Sequence, residues 1–257
     1  METTKQSYSD TFTIAWRCLL LSCRNPETFL TSILLPALMM LLFVSLFGSL
    51  IRVDGTSYTA YIVPGVLIQC AAQGSSTTAI MVNQDITSGI LSRFSTLPIR
   101  QGALLYGHVL EACARNLVTS AVVLVIALLL GFRPALTLTG LGITFLLLSG
   151  MILALSWLAV AVGILSKSAQ GASSLSSLAI VLPYLSSGFV PTEHLPPLLR
   201  TFARYQPMTP VIDAMRDALS GSPADAGTLG AALLWCALLT AVFCAASVLF
   251  LKRRLLR

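Results

Sequence analysis

Charge is scarce in this 257-residue chain: Asp, Glu, Lys and Arg together make up 10% of it. Soluble globular domains carry about 25%, so a domain with a fully solvated surface is excluded. Disorder is excluded as well, because 56% of the residues are hydrophobic and mean hydropathy is +0.85. A phosphate loop is missing. It needs Gly-x-x-x-x-Gly-Lys-Ser/Thr so that backbone amides cradle the phosphates, and the lone Lys-Ser pair, Lys167-Ser168, follows Ser166 in a short loop. The six cysteines (Cys18, Cys23, Cys70, Cys113, Cys236, Cys244) form no C-x-x-C pair and read as small buried apolar residues. There are two histidines. His108-x-x-Glu111 opens a metal-type pattern on one helical face, but no further ligand stands near it in sequence. Two interface residues beside Arg115 are the plainer reading, and no metal is expected. No catalytic residue is expected either, since no apolar run carries a His or Lys base.

What the chain does have is long apolar runs. Residues 29–50, 61–82, 113–132, 137–165, 171–190 and 228–251 are each about the 20 residues that a helix needs to cross a bilayer. Arg115, near the start of the third, is expected to snorkel to the interface. The reading is an all-α polytopic membrane protein, a single transmembrane domain over 1–257 with six transmembrane helices. Span interiors are expected to hold no Asp, Glu, Lys or Arg. That argues against a proton- or ion-coupled carrier and leaves the energy for active transport to another chain. With both termini cytoplasmic, Lys5, Arg17, Arg24, Arg93, Arg100, Arg115, Lys167, Lys252, Arg253, Arg254 and Arg257 lie inside. Only Arg52, Arg133, Arg200, Arg204 and Arg216 then lie outside, as the positive-inside rule asks. The basic excess thus reports topology and lipid headgroups, not nucleic acid. Residues 19–21 are too short an apolar core for a cleavable signal peptide.

The segments between the runs are informative. In 1–28, Tyr8, Phe12, Ala15, Trp16, Leu19 and Cys23 share one helical face, flanked by Lys5, Arg17 and Arg24. This predicts an amphipathic helix in the membrane interface, ended by Asn25-Pro26. In 83–101, Ile86, Ile90, Phe94 and Leu97 fall on one face of a short helix that Pro98 ends. Either the protein's own span ends or a soluble partner must cover that face. The proline-rich stretch 191–227 predicts two short helices dipping into the outer leaflet, the second over 208–220 with Thr209 as N-cap and Gly221 as its close. Polar stripes run along two spans: Gln69, Gln73, Ser76 and Asn83 on the second, and Ser173, Ser177, Tyr184 and Ser187, with Phe189 beyond, on the fifth. They serve as helix–helix glue or as the lining of an amphiphile path.

At the loop after the second run the chain resembles a known family. Asp85-x-x-x-Gly89-x-x-x-Arg93-x-x-x-Leu97-Pro98-x-Arg100 resembles the coupling-helix segment of ABC-2 type transporter permeases. Leu182-Pro183-Tyr184-Leu185-Ser186-Ser187-Gly188-Phe189-Val190-Pro191, then Leu195-Pro196 and Pro207-Met208-Thr209-Pro210, is similar to their fifth span and outer connector. The likeness covers the whole chain and lies in the daunorubicin/doxorubicin-resistance type of drug or lipid exporter. Where members commonly carry an acidic residue just before the glycine, this chain has Thr87 and Ser88.

The resemblance implies a permease in the bacterial cytoplasmic membrane that exports an amphiphile such as a drug, antibiotic, lipid or glycolipid. It implies pairing with a second permease copy, identical or paralogous, and two copies of a separate ABC ATPase that holds ATP and magnesium. This chain itself is expected to bind no cofactor. Asp85, Ile86, Gly89, Ile90, Arg93, Phe94, Leu97, Pro98 and Arg100 would take up the ATPase motion, with the interfacial helix (Tyr8, Phe12, Trp16, Arg17, Arg24) as a second contact. Substrate would pass between the second and fifth spans. An ATP-independent carrier or channel and a non-transporting assembly protein are the alternatives.

Overall fold

The computed structural model describes the backbone of residues 2–24, 26–48, 57–89, 102–135, 137–222 and 225–255 and, apart from residues 2–10, 23, 26, 28, 29, 194 and 255, their side chains. Regular structure among the described residues is helical throughout. α1 (Glu2–Cys23) leads to α2 (Pro26–Phe47), α3 (Tyr58–Thr87), α4 (Gly102–Leu129), α5 (Leu138–Leu165) and α6 (Ala169–Val181). Two 3-10 turns, Leu182–Leu185 and Thr192–His194, precede α7 (Pro197–Tyr205), α8 (Met208–Ser220) and α9 (Ala226–Leu255).

Local chemistry sets the helix ends. Ser57, Thr137 and Ser168 stand before α3, α5 and α6, and each hydroxyl accepts from the amide three residues on. Gly221, at φ 77°, ends α8 in the left-handed region. Pro207 rather than Thr209 holds the cap position of α8; the Thr209 hydroxyl donates to the Ala203 carbonyl instead.

α3 is the axis, buried along most of its length. α4 and α6 run antiparallel to it, placing Arg115 by Thr78 and Ser173 by Ser76. α5 runs with α3, and α9 with α5, so that Asn83 reaches the Gly163 carbonyl and Arg254 the Ile164 carbonyl. The bundle therefore has two ends. Its head gathers the start of α3, the end of α4, α7 and α8. Its foot gathers α1, the ends of α3, α5 and α9, and the starts of α4 and α6. Each has its own core: Ile62, Leu147, Met151, Phe189, Ile212 and Met215 toward the head, and Ile14, Cys18, Val82, Leu105, Trp157 and Ile164 at the foot.

Among the described residues, four stretches are long and apolar enough to cross a membrane: Leu30–Phe47, Gly102–Leu129, Leu138–Leu165 and Ala226–Arg254. The runs expected as second and fifth crossings are not among them. α3 is long enough, but Gln69, Gln73, Ser75, Ser76, Thr77 and Thr78 dilute it, and surrounding helices cover Gln69, Ser75, Ser76 and Thr78. α6 stops at Val181 because Pro183 supplies no amide and crowds the preceding turn. Residues 171–190 are thus a helix, a 3-10 turn and a bend, not one helix.

Two further expectations are corrected. α3 continues through Asp85 and Ile86 to Thr87, since nothing there breaks a helix before Gly89. Residues 83–87 are its last turn rather than loop. α4 begins at Gly102, ahead of the expected 113, and His108, Glu111 and Arg115 are buried within it. Apolar counting left His108 and Glu111 outside and put Arg115 at the interface, because it registers charge but not the partners that make its burial tolerable.

Candidate functional site at the foot of the bundle

α1 lies along the first turns of α4, and its two faces differ. Phe12 and Trp16, 69% and 54% exposed, point away from the bundle, while Ile14 and Cys18 are buried against α4. The apolar face legible in sequence is therefore the outward one, free to meet lipid. Of the basic residues expected to flank it, Arg17 turns inward and Arg24 is exposed at the end of α1; the side chain of Tyr8, expected on the face, lies outside the described residues.

The inward face carries a charge network. Arg17 donates from Nη1 to Asp85 Oδ2 at 2.9 Å and from Nη2 to Oδ1 at 3.2 Å, a bidentate pair across α1 and α3. His108 on α4 brings Nε2 within 3.2 Å of the same Oδ2, and its Nδ1 lies 3.7 Å from Cys18 Sγ. The bidentate guanidinium contact and the facing imidazole favour the charged form of the Asp85 carboxylate. One helical turn further along α4, Glu111 Oε1 accepts from Ser22 at 2.6 Å and from Arg115 Nε at 2.8 Å. Arg115 Nη2 donates to Thr78 Oγ1 at 2.7 Å and to the Gly74 carbonyl. Glu111 is 1% exposed and Arg115 5%, so Arg115 does not snorkel; it is buried beside its acid.

These residues surround a cleft of about 300 Å³ between α1, α3 and α4, lined by Cys18, Ser22, Thr77, Gln84, Asp85, His108 and Arg115 among others. Glu111 Oε2 and Arg115 Nη1 have no hydrogen-bond partner among the described residues. The sequence reading saw no ligand near His108; folding brings atoms of Cys18 and Asp85 to it, all three within 4.8 Å of one another. Thiol and carboxylate face opposite nitrogens of the ring, however, and Arg17 already holds Asp85. The three side chains stand in line: thiol, ring and carboxylate.

The expected coupling residues divide. Asp85 is turned inward into the network, Ile86 is half-buried against the foot core, and Gly89 stands just past the end of α3 at φ 75°, a conformation glycine adopts without strain. Ile90, Arg93, Phe94, Leu97, Pro98 and Arg100 lie outside the described residues. The two polar stripes turn toward each other within one chain. Gln69 donates to the Tyr184 hydroxyl, Ser76 and Ser173 stand 3.3 Å apart, and Ser177 bonds back to its own helix. Gln73 is half-buried, with its carbonyl oxygen unpartnered among the described residues. Ser187 donates to Asp213 at 2.7 Å, and Phe189 stacks on Tyr184 with ring centres 4.7 Å apart. The pairs Gln69–Tyr184, Ser76–Ser173 and Ser187–Asp213 join separate elements, as helix–helix glue would; Ser177 and Gln73 make no such link among the described residues.

Sequence reasoning missed Cys18, Ser22 and Thr78 and read His108, Glu111 and Arg115 as surface. The one local signal was three polar residues at helical spacing, His108, Glu111 and Arg115, leading into an apolar run.

Comparison with known proteins agrees with the sequence resemblance. A family model described as "ABC-2 type transporter" matches residues 9–220. The chain is 30% identical over 236 residues to a daunorubicin resistance ABC transporter permease protein of Streptomyces coeruleorubidus, spanning 91% of this chain and 83% of that one. It is 29% identical over 233 residues to a probable doxorubicin resistance ABC transporter permease protein of Mycobacterium tuberculosis, spanning 83% and 78%.

Proposed function

The chain belongs to the ABC-2 type transporter family, and on that premise we propose that it is the permease subunit of an ABC exporter for an amphiphilic substrate. Two copies, alike or paralogous, pair in the bacterial cytoplasmic membrane above two separate ATPase subunits, which hold ATP and magnesium. α2, α3, α4, α5, α6 with its 3-10 turn, and α9 make six crossings, with both termini cytoplasmic. α1 lies in the inner interface, and α7 and α8 dip into the outer leaflet.

The observation that carries the reading is the knot of Arg17, Asp85 and His108. It ties α1 and α4 to α3 one turn before the chain enters residues 90–101. A displacement of that segment by the ATPase therefore moves three helices together. Asp85 acts by positioning, from inside; the ATPase contact belongs to Phe94 and its neighbours.

The test begins with mild-detergent purification from the native membrane. A P-loop ATPase of separate sequence is expected to accompany the chain one-to-one, and Phe94→Asp is expected to release it and abolish transport while membrane insertion persists. Transport that survives Phe94→Asp removes the coupling assignment. One observation favours a carrier as second reading: α4 does bury Glu111 and Arg115, against the charge-free spans that the sequence suggested. A carrier would purify alone as a folded oligomer and transport without ATP.

A further inference from the structure

Cys18, His108 and Asp85 form a line that the coupling role does not use. Asp85 Oδ2 faces His108 Nε2 at 3.2 Å and Cys18 Sγ faces Nδ1 at 3.7 Å; the carboxylate favours a proton on Nε2, which leaves Nδ1 to exchange a proton with the thiol. The arrangement is that of a thiol, a base and an acid that orients the base. An imidazole takes the thiol proton more readily when a carboxylate on its far nitrogen stabilises the resulting cation. Cys18 has no accessible surface, in the cleft or outside it; it stands just behind the wall of the cleft of about 300 Å³ that Ser22, Met81 and Asp85 also bound, so a reagent in the cleft reaches its sulfur as α1 shifts against α4. That space admits a reagent the size of a hydroperoxide. The other buried thiols described, Cys70 and Cys236, sit in the apolar core nearer the head.

We propose that Cys18 is a peroxide-reactive thiol, a site of reversible oxidation activated by His108 and Asp85. The chemistry balances with a small hydroperoxide as co-reactant. The thiol proton passes to His108 Nδ1. Cys18 Sγ then attacks one peroxide oxygen, the S–O bond forming as the O–O bond breaks. The departing oxygen takes the proton back from His108 and leaves as water or an alcohol. Sulfur loses two electrons to become a sulfenic acid and the peroxide gains them. The added oxygen enters a seam where Cys18 is fully enclosed between α1 and α4, so oxidation loosens α1. The site's reactivity does not rest on the transport reading.

The experiment uses the full chain in lipid nanodiscs at pH 7 with hydrogen peroxide and a dimedone-type trap, and mass spectrometry follows each cysteine. Adducts at Cys18 are expected to form about tenfold or more faster than at Cys70 and Cys236. In His108→Gln the Cys18 rate is expected to fall to theirs, and in Asp85→Asn to fall severalfold. The wild-type ratio decides without any variant: equal rates at the three cysteines overturn the proposal. So does a Cys18 rate unchanged in His108→Gln while Cys70 and Cys236 stay at their wild-type level, which reports an intact fold. A His108→Gln chain that labels faster at all three has opened, and the wild-type ratio together with Asp85→Asn then decides.

Discussion

Single residues at the foot behave according to their partners rather than their type. Glu111 and Arg115 are charged and nearly inaccessible, a combination that holds only while both are present. Removing one leaves the other buried and unpaired, at a cost of about 3–5 kcal/mol, whereas replacing both with apolar residues is often neutral. Glu111→Gln is therefore expected to lower the thermal unfolding temperature in detergent markedly. The double change Glu111→Leu with Arg115→Met is expected to recover most of that loss. Equal loss in the single and double variants would mean that the pair serves more than structure. The i, i+4 spacing of Glu111 and Arg115 was visible in the sequence. Their burial was not, because it depends on Ser22 and Thr78 from two other helices.

At the scale of elements, close approach decides how α3 can serve as axis. Gly163 of α5 lies against α3, and a Cβ there would stand 2.7 Å from the Ala79 carbonyl oxygen and 2.8 Å from Val82 Cβ. Backbone cannot retreat as a side chain can, so Gly163→Ala must part α3 from α5. It must also stretch the bond from Asn83 to the Gly163 carbonyl, now 3.1 Å. A loss of about 1–3 kcal/mol is expected from overpacking of this kind. Gly142→Ala in the same helix meets nothing within 4 Å and is expected to cost nothing measurable. Thermal unfolding of both in one detergent checks the contrast. The sequence marked the end of α8, because Gly221 is a local signal, but it put the N-cap at Thr209 where Pro207 stands. It cut α6 wrongly, because 171–190 is apolar enough for one helix and only Pro183 divides it. The late start given to α4 came from treating charge as a boundary.

For the whole molecule, the asymmetry of cover is informative. The apolar windows of α2 and α9 are 17% and 11% buried, against 61% for that of α5. α2 and α9 thus form the outer wall, and lipid or a second copy must complete it. The proposed orientation predicts opposite accessibility for two exposed positions at opposite ends, Ser222 and Lys252. A cysteine introduced by Ser222→Cys is expected to react with a membrane-impermeant maleimide in intact cells. One introduced by Lys252→Cys is expected to react only after permeabilisation. The reverse pattern inverts the topology and with it the direction read for transport.

By itself the sequence determined the class of molecule: helical, membrane-embedded and of the ABC-2 family. Apolar length, periodicity, caps and a family pattern are all written within a few turns of chain. The tertiary structure alone decided that Arg17 meets Asp85, 68 residues away, and that Cys18 meets His108, 90 residues away. Such meetings depend on which helices become neighbours and how their faces turn. Local spacing carries no record of that choice, which is made by packing α1 and α4 around the buried axis of α3.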